Sequence, residues 1–271
     1  MIKNISLGEI FPSSNSNHYQ LNKVLRNFIE GYFKLDFYGL KVRTPYFINP
    51  KGHKDLRSLV GKGTQEEIIL ETKVWAQVKN FNLTNASEIQ IRDFMQTVGI
   101  GIDCSGLVVQ TLKFYVNSLI HENLLTKLKF ENNSIRARLA RLLRTVENIG
   151  ANDLTSDLNC TPVGLNQVRP GDLIRAKGKQ FNAHHVALVT HVDTIINKTT
   201  EIVTNINYIH SHRFYGHNNG VRAGSLIIKD INGGLLDQDW KEISDDGINY
   251  LVEDLKINLV DNGFRRLKLI T

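Results

Sequence analysis

Gly99-Ile100-Gly101-Ile102-Asp103-Cys104-Ser105-Gly106-Leu107-Val108 is a helix break followed at once by a helix start. Two glycines end the preceding helical pattern, and from Ser105 onward Val108, Leu112, Tyr115 and Leu119 recur as one apolar helical stripe. Cys104 therefore falls at the N-terminus of a helix. Free backbone N–H groups and the helix dipole lower a thiol's pKa there, and the thiolate is the reactive form. The N–H groups of Cys104 and Ser105 are also placed to hold a developing oxyanion. A structural cysteine packed beneath a helix fits this local pattern equally well, so the decision rests on the rest of the chain.

Upstream the pattern is helical. Leu21, Val24, Leu25, Phe28 and Tyr32 are helically spaced after the loop-like Pro12–Asn17 cluster, and Leu35–Val42 reads as a strand interrupted by Gly39. Thr64-Gln65-Glu66-Glu67 and Ser87-Glu88-Ile89-Gln90 are capping boxes that open two further helices, with Gly99 as the stop of the second. Gly61-Lys62-Gly63-Thr64 lacks the directly adjacent Gly-Lys-Ser/Thr of a phosphate loop, so it reads as a helix start. A helix over Ile135–Ile149 carries Arg136, Arg138, Arg141 and Arg144. These are either a polyanion contact or, the reading favoured here, a solvated face.

Beyond Pro170 the pattern becomes β. Asp172–Ala176, His185–Val192, Glu201–His210 and Val221–Lys229 read as strands, and Ile257–Val260 with Phe264–Ile270 as a hairpin around Asp261-Asn262-Gly263. Helices followed by strands predict an α+β fold, with the helix that starts at Cys104 packed on an antiparallel sheet. Residues 1–85 are expected as an added, mainly helical N-terminal lobe, and 86–271 as the catalytic domain.

Composition narrows the classes. The 271 residues, 41% hydrophobic and 22% charged, suit a globular protein, and two cysteines do not make a disulfide framework. No leader-like segment or 18-residue apolar run is present, so a soluble protein without membrane insertion is expected, cytoplasmic as synthesised with non-classical export left open. The net charge of +6 suits an anionic partner such as a cell-wall polymer. No nucleic-acid-binding motif accompanies that charge, and nucleic acid is not the expected partner.

The second half of the chain supplies partners for Cys104. Val168-Arg169-Pro170-Gly171-Asp172-Leu173-Ile174 is a Pro-Gly turn into a strand, and His184-His185-Val186-Ala187-Leu188-Val189 follows. Strand alternation puts His185, Ala187 and Val189 on one face and His184 and Val186 on the other, so one histidine alone lines a given site. A third polar group that orients the base is available from Asn205, Asn207, His210 and His212.

Asp-Cys-Ser-Gly-Leu-Val, then Pro-Gly-Asp-Leu, then His-Val-Ala-Leu-Val, in that order, resembles the NlpC/P60 cysteine peptidases of the papain-like superfamily. Tyr208-Ile209-His210-Ser211 is similar to that family's segment bearing the third catalytic residue. The resemblance implies Cys104 as nucleophile, His185 as base, His210 as orienting residue, and Asp103 and Ser105 beside the oxyanion and substrate. It implies an endopeptidase or amidase acting on peptide or muropeptide stem peptides, with no cofactor and no metal. Gln96-Thr97-Val98-Gly99-Ile100-Gly101 stands where the family commonly has an aromatic-Gly-Gly segment. The spans from Cys104 to Pro170 and from His185 to His210 are also long.

Two alternatives share these residues. One is an intracellular cysteine acyltransferase or deamidase. The other is a zinc protein, because six histidines fall between 184 and 217 and His210-Ser211-His212 has a metal-ligand spacing that Cys104 could complete.

Overall fold

Both capping boxes form as the sequence predicts. Thr64 accepts from the Glu67 N–H while Glu67 returns a bond to the Thr64 N–H, and Ser87 and Gln90 repeat the arrangement. The computed structural model describes residues 8–13, 15–48, 57–132, 134–177, 184–242, 244–257 and 261–270. Strands β1 (Gly8–Ser13) and β2 (Ser16–Leu21) form a hairpin ahead of helix α1 (Lys23–Phe33). A small separate hairpin, β3 (Leu35–Phe37) and β4 (Leu40–Val42), comes next. Then come α2 (Gln65–Val78), α3 (Glu88–Thr97) and α4 (Cys104–Tyr115), the last running into a wider π-type turn at Val116–Ile120. Three shorter helices, α5 (Leu124–Lys127), α6 (Ile135–Leu143) and α7 (Ala151–Thr155), lead to β5 (Cys160–Val163). The remaining elements are β6 (Leu173–Lys177), β7 (His184–Asn197), β8 (Thr200–His212), β9 (Gly220–Ile227), β10 (Asp239–Trp240), α8 (Tyr250–Ile257) and β11 (Gly263–Leu267).

The fold is α+β, with an antiparallel sheet in the order β10-β9-β8-β7-β6-β11-β5, and with β2 also pairing to β7. Its two faces bury different partners, as the period-2 alternation of β7 requires. Val186 and Leu188 enter a core shared with Leu107, Val108 and Leu112 of α4. Ala187 and Val189 enter a second cluster with Leu251 and Leu255 of α8. Among the described residues no helix is long and apolar enough to cross a membrane.

Several sequence readings are corrected. The C-terminal hairpin does not form: Ile257 ends α8, and β11 pairs with β6 and β5 (residues 258–260 lie outside the described set). Alternation marked β11 as a strand, but its partner is fixed at long range. Arg266 clamps Asp172 through two bonds of 2.8 Å, beside the Pro170-Gly171 turn. Leu35–Val42 is two strands reversing at Tyr38-Gly39, both with positive φ. The Ile135–Ile149 helix ends at Leu143, and a 3-10 turn follows at Val146–Asn148. On it Arg144 pairs with Glu147 and Arg141 stacks over Phe130, while Leu139 and Leu143 are exposed. Within residues 1–85, β2 joins the central sheet, and Leu25, Tyr32 and Ile68 share one core with α4.

Candidate active site

Asp103 is the N-cap of α4. Its carboxylate accepts the Gly106 N–H at 2.5 Å, which fixes where the helix begins and places Cys104 in its first turn. Gly106 is required by close approach: a Cβ there would lie 2.1 Å from the Gly61 carbonyl oxygen. The Gly61–Thr64 stretch holds more than a helix start. Lys62, 5% exposed, donates to Asp103 Oδ1 at 3.0 Å, to the Ile149 carbonyl at 3.0 Å and to the Ser105 hydroxyl. The side chains of Asp103 and Ser105, expected beside oxyanion and substrate, are therefore committed inward to Lys62. What Ser105 offers the sulfur is its backbone N–H.

The start of α4 meets β7 at His184, ahead of the β7–β8 pairing that begins at Leu188↔Ile209. Ser211 Oγ donates to the Ile102 carbonyl at 2.7 Å and closes the junction. Cys104 Sγ meets β7 on both sides of His185. It lies 3.9 Å from the His184 carbonyl, and the Val186 N–H faces the sulfur.

His185, His210 and His212 come together. His185 Nε2 lies 2.8 Å from His210 Nδ1, and His210 Nε2 lies 2.8 and 3.0 Å from the two oxygens of Glu242. Tyr208 OH and Arg222 Nε donate to the same carboxylate at 2.8 and 2.7 Å. His210 is thus the residue that hydrogen-bonds His185, while the His212 ring packs against it with centroids 4.8 Å apart. Asn205 donates to Asp193, and His212 Nε2 lies 3.1 Å from Asp254 Oδ2 on α8. His185 Nδ1 lies 4.0 Å from that same oxygen.

The network assigns the tautomers. Ionised Glu242 accepts the hydrogen bond of His210 Nε2–H, leaving His210 Nδ1 as acceptor for His185 Nε2–H. His185 Nδ1 then carries a lone pair. Burial pushes the Cys104 thiol up to about 12, reinforced by Asp103 and opposed by Lys62 and the Val186 and Ser105 N–H groups. Burial also lowers His185 well below the ordinary imidazole range, helped by His212 and His210. Both groups rest neutral at pH 7. Burial raises Glu242 too, but the electrostatic attraction and hydrogen bonds of the His210 Nε2–H, with the bonds from Arg222 and Tyr208, outweigh it and leave the carboxyl at about 2.

Tyr46 arrives from the N-terminal segment. The Pro45 carbonyl accepts Ile102 N–H and the Thr44 carbonyl accepts Val221 N–H, both at 3.0 Å, and Tyr46 N–H donates to Asn219 Oδ1 at 3.0 Å. Burial raises its phenol far above the usual value, and Cys104 and Asp103 add to that, so a neutral hydroxyl stands within electrostatic reach of the thiol.

A cation could be held by His185, His212 and Asp254, whose donor atoms lie within 4.8 Å of one another. The pairing considered from sequence, His210 with His212, is unavailable in this form because both nitrogens of His210 are engaged.

Lys62, Tyr46, Glu242 and Asp254 were missed by sequence reasoning. None sits in a motif with the residue it serves, and only the Gly-Lys-Gly stretch carried any signal. Compared with protein-family models, curated proteins and solved structures, the chain finds no match in any of the three.

Proposed function

We propose that the chain is a thiol hydrolase that cleaves amide bonds with Cys104 as nucleophile, His185 as base and His210 as the orienting residue. The observation that carries this reading is Cys104 at the start of α4, seated against β7 beside His185, whose Nε2 meets His210 at 2.8 Å. The order of these groups, and the helix on an antiparallel sheet, support a papain-like NlpC/P60 arrangement and hence a stem-peptide endopeptidase or amidase. Tyr46 is within electrostatic reach of Cys104, although the segment before the cysteine has no aromatic residue.

In the proposed reaction His185 Nδ1 takes the thiol proton as Sγ attacks the amide carbonyl. The Ser105 N–H at the helix start faces the developing negative charge. His185, now imidazolium, protonates the leaving amine, and the carbonyl carbon stays bonded to sulfur. His185 then removes a proton from water, hydroxide adds to the thioester, and the thiolate leaves and is reprotonated. His210 accepts His185 Nε2–H throughout, and Glu242 keeps His210 in that tautomer.

Muropeptides are incubated with the wild type and with Cys104→Ala, and products are identified by mass spectrometry. New amine and carboxyl termini with the wild type alone are expected, and equal turnover by Cys104→Ala overturns the reading. A second reading, a metal-assisted hydrolase, is favoured by the proximity of His185, His212 and Asp254. It replaces the first if chelators abolish turnover while iodoacetamide leaves it intact.

A further inference from the structure

His18 has no partner in sequence, and the sheet supplies one. In the β2–β7 register His18 stands opposite Asp193 and Gln20 opposite His191. His191 and Asp193 are two residues apart on β7. His18 Nδ1 lies 2.5 Å and His191 Nε2 2.6 Å from the same oxygen, Asp193 Oδ1. The second oxygen, Oδ2, accepts Asn205 Nδ2 at 2.9 Å from β8. Three adjacent strands thus converge on Asp193, eight residues beyond His185 and so about 26 Å along the strand.

From this geometry we propose that His18, His191 and Asp193 form a divalent-metal site of the zinc class, separate from the Cys104 site. The three donor atoms lie within 4.8 Å of one another, so small side-chain rotations bring them to bonding distance of one ion. Two imidazoles and one carboxylate are a borderline nitrogen–oxygen set. It suits Zn²⁺, Co²⁺ or Ni²⁺, and not Ca²⁺ or Mg²⁺, which take oxygen ligands. Asn205 holds the carboxylate in orientation, the outer support such ligands ordinarily have. The His18 side chain is 45% exposed and those of His191 and Asp193 25%, so an ion can enter from solvent and keep a water as its fourth ligand. Because His18 lies on β2 and the other two on β7, a bound ion ties the N-terminal hairpin to the central sheet.

The test uses the full chain carrying Cys104→Ser and His212→Ala, which removes the other donor set. Zinc chloride is titrated by calorimetry, and cobalt chloride by its visible absorption. One Zn²⁺ per chain with a raised Tm is expected, together with cobalt bands of imidazole–carboxylate coordination and no response to Ca²⁺ or Mg²⁺. His191→Ala and Asp193→Asn should each weaken zinc binding by more than about tenfold. His18→Gln, at a half-exposed position that leaves packing intact, should do the same. Absence of zinc binding in this background overturns the proposal, as does binding unchanged in Asp193→Asn and His18→Gln.

Discussion

Cys104 and Cys160 are both free, both buried, and burial pushes both thiols up to about 12. Their surroundings separate them. Cys160 starts β5, is 1% exposed, and donates to the Leu154 carbonyl at 3.0 Å, with Arg265 and Arg175 its nearest charges. Cys104 is at a helix start fixed by Asp103 and Lys62, with two N–H groups facing its sulfur and an imidazole relay between its β7 contacts. A resting thiol pKa therefore does not mark the nucleophile. What separates Cys104 is the helix start and the imidazole pair on the neighbouring strands.

The largest expected difference is in turnover. Cys104→Ala should lower muropeptide cleavage by more than about a thousandfold, whereas Cys160→Ala should stay within roughly twofold, both read by product mass spectrometry. Along the relay the effects should grade down: about a hundredfold or more for His185→Ala, then about tenfold to a hundredfold for His210→Ala. Glu242→Gln should cost about tenfold. An inverted order would remove Glu242 as the group that sets the tautomer.

Stability divides the two cysteines differently. Lys62→Met leaves Asp103 charged and unpaired next to Cys104, and should cost about 3–5 kcal/mol by denaturant titration. Adding Asp103→Asn should restore part of that. Cys160→Ala should cost about 1–2 kcal/mol through the small void it leaves, with activity retained.

The smallest expected effect is in pH dependence. With Cys104 raised and His185 lowered, both stay neutral through the neutral range, and the acid limb of kcat/KM should lie well below the ordinary imidazole range, because His185 binds its proton only there. Glu242, at about 2 when folded against 4.5 when free, binds its proton more weakly in the native state. Its stabilisation is full above about pH 4.5 and is lost as pH falls towards 2. Glu242→Gln should flatten the acid unfolding curve in that window.

What the sequence disclosed was local. Capping boxes at Thr64 and Ser87 operate within one turn, so their residues alone define them. Cys104, His185 and His210 were legible because they sit in short ordered segments whose strand alternation sets which face each uses. Lys62 pairs with Asp103 across 41 residues and Glu242 with His210 across 32, and neither end names the other. The same limit misplaced β11: alternation shows that Phe264–Leu267 is extended, but not that Arg266 will hold it to Asp172. The β1–β2 hairpin was missed because Pro12, Ser13 and Asn15 read as loop, while its partner β7 lies about 170 residues away.

The most direct test is covalent. The protein is incubated with a stem peptide bearing a vinyl sulfone, and the adduct is located by mass mapping of a proteolytic digest. Modification of Cys104 is expected, with none on Cys160 and with the rate lost in His185→Ala. Modification of Cys160, or labelling of Cys104 at the same rate without His185, would contradict the Cys104–His185 assignment.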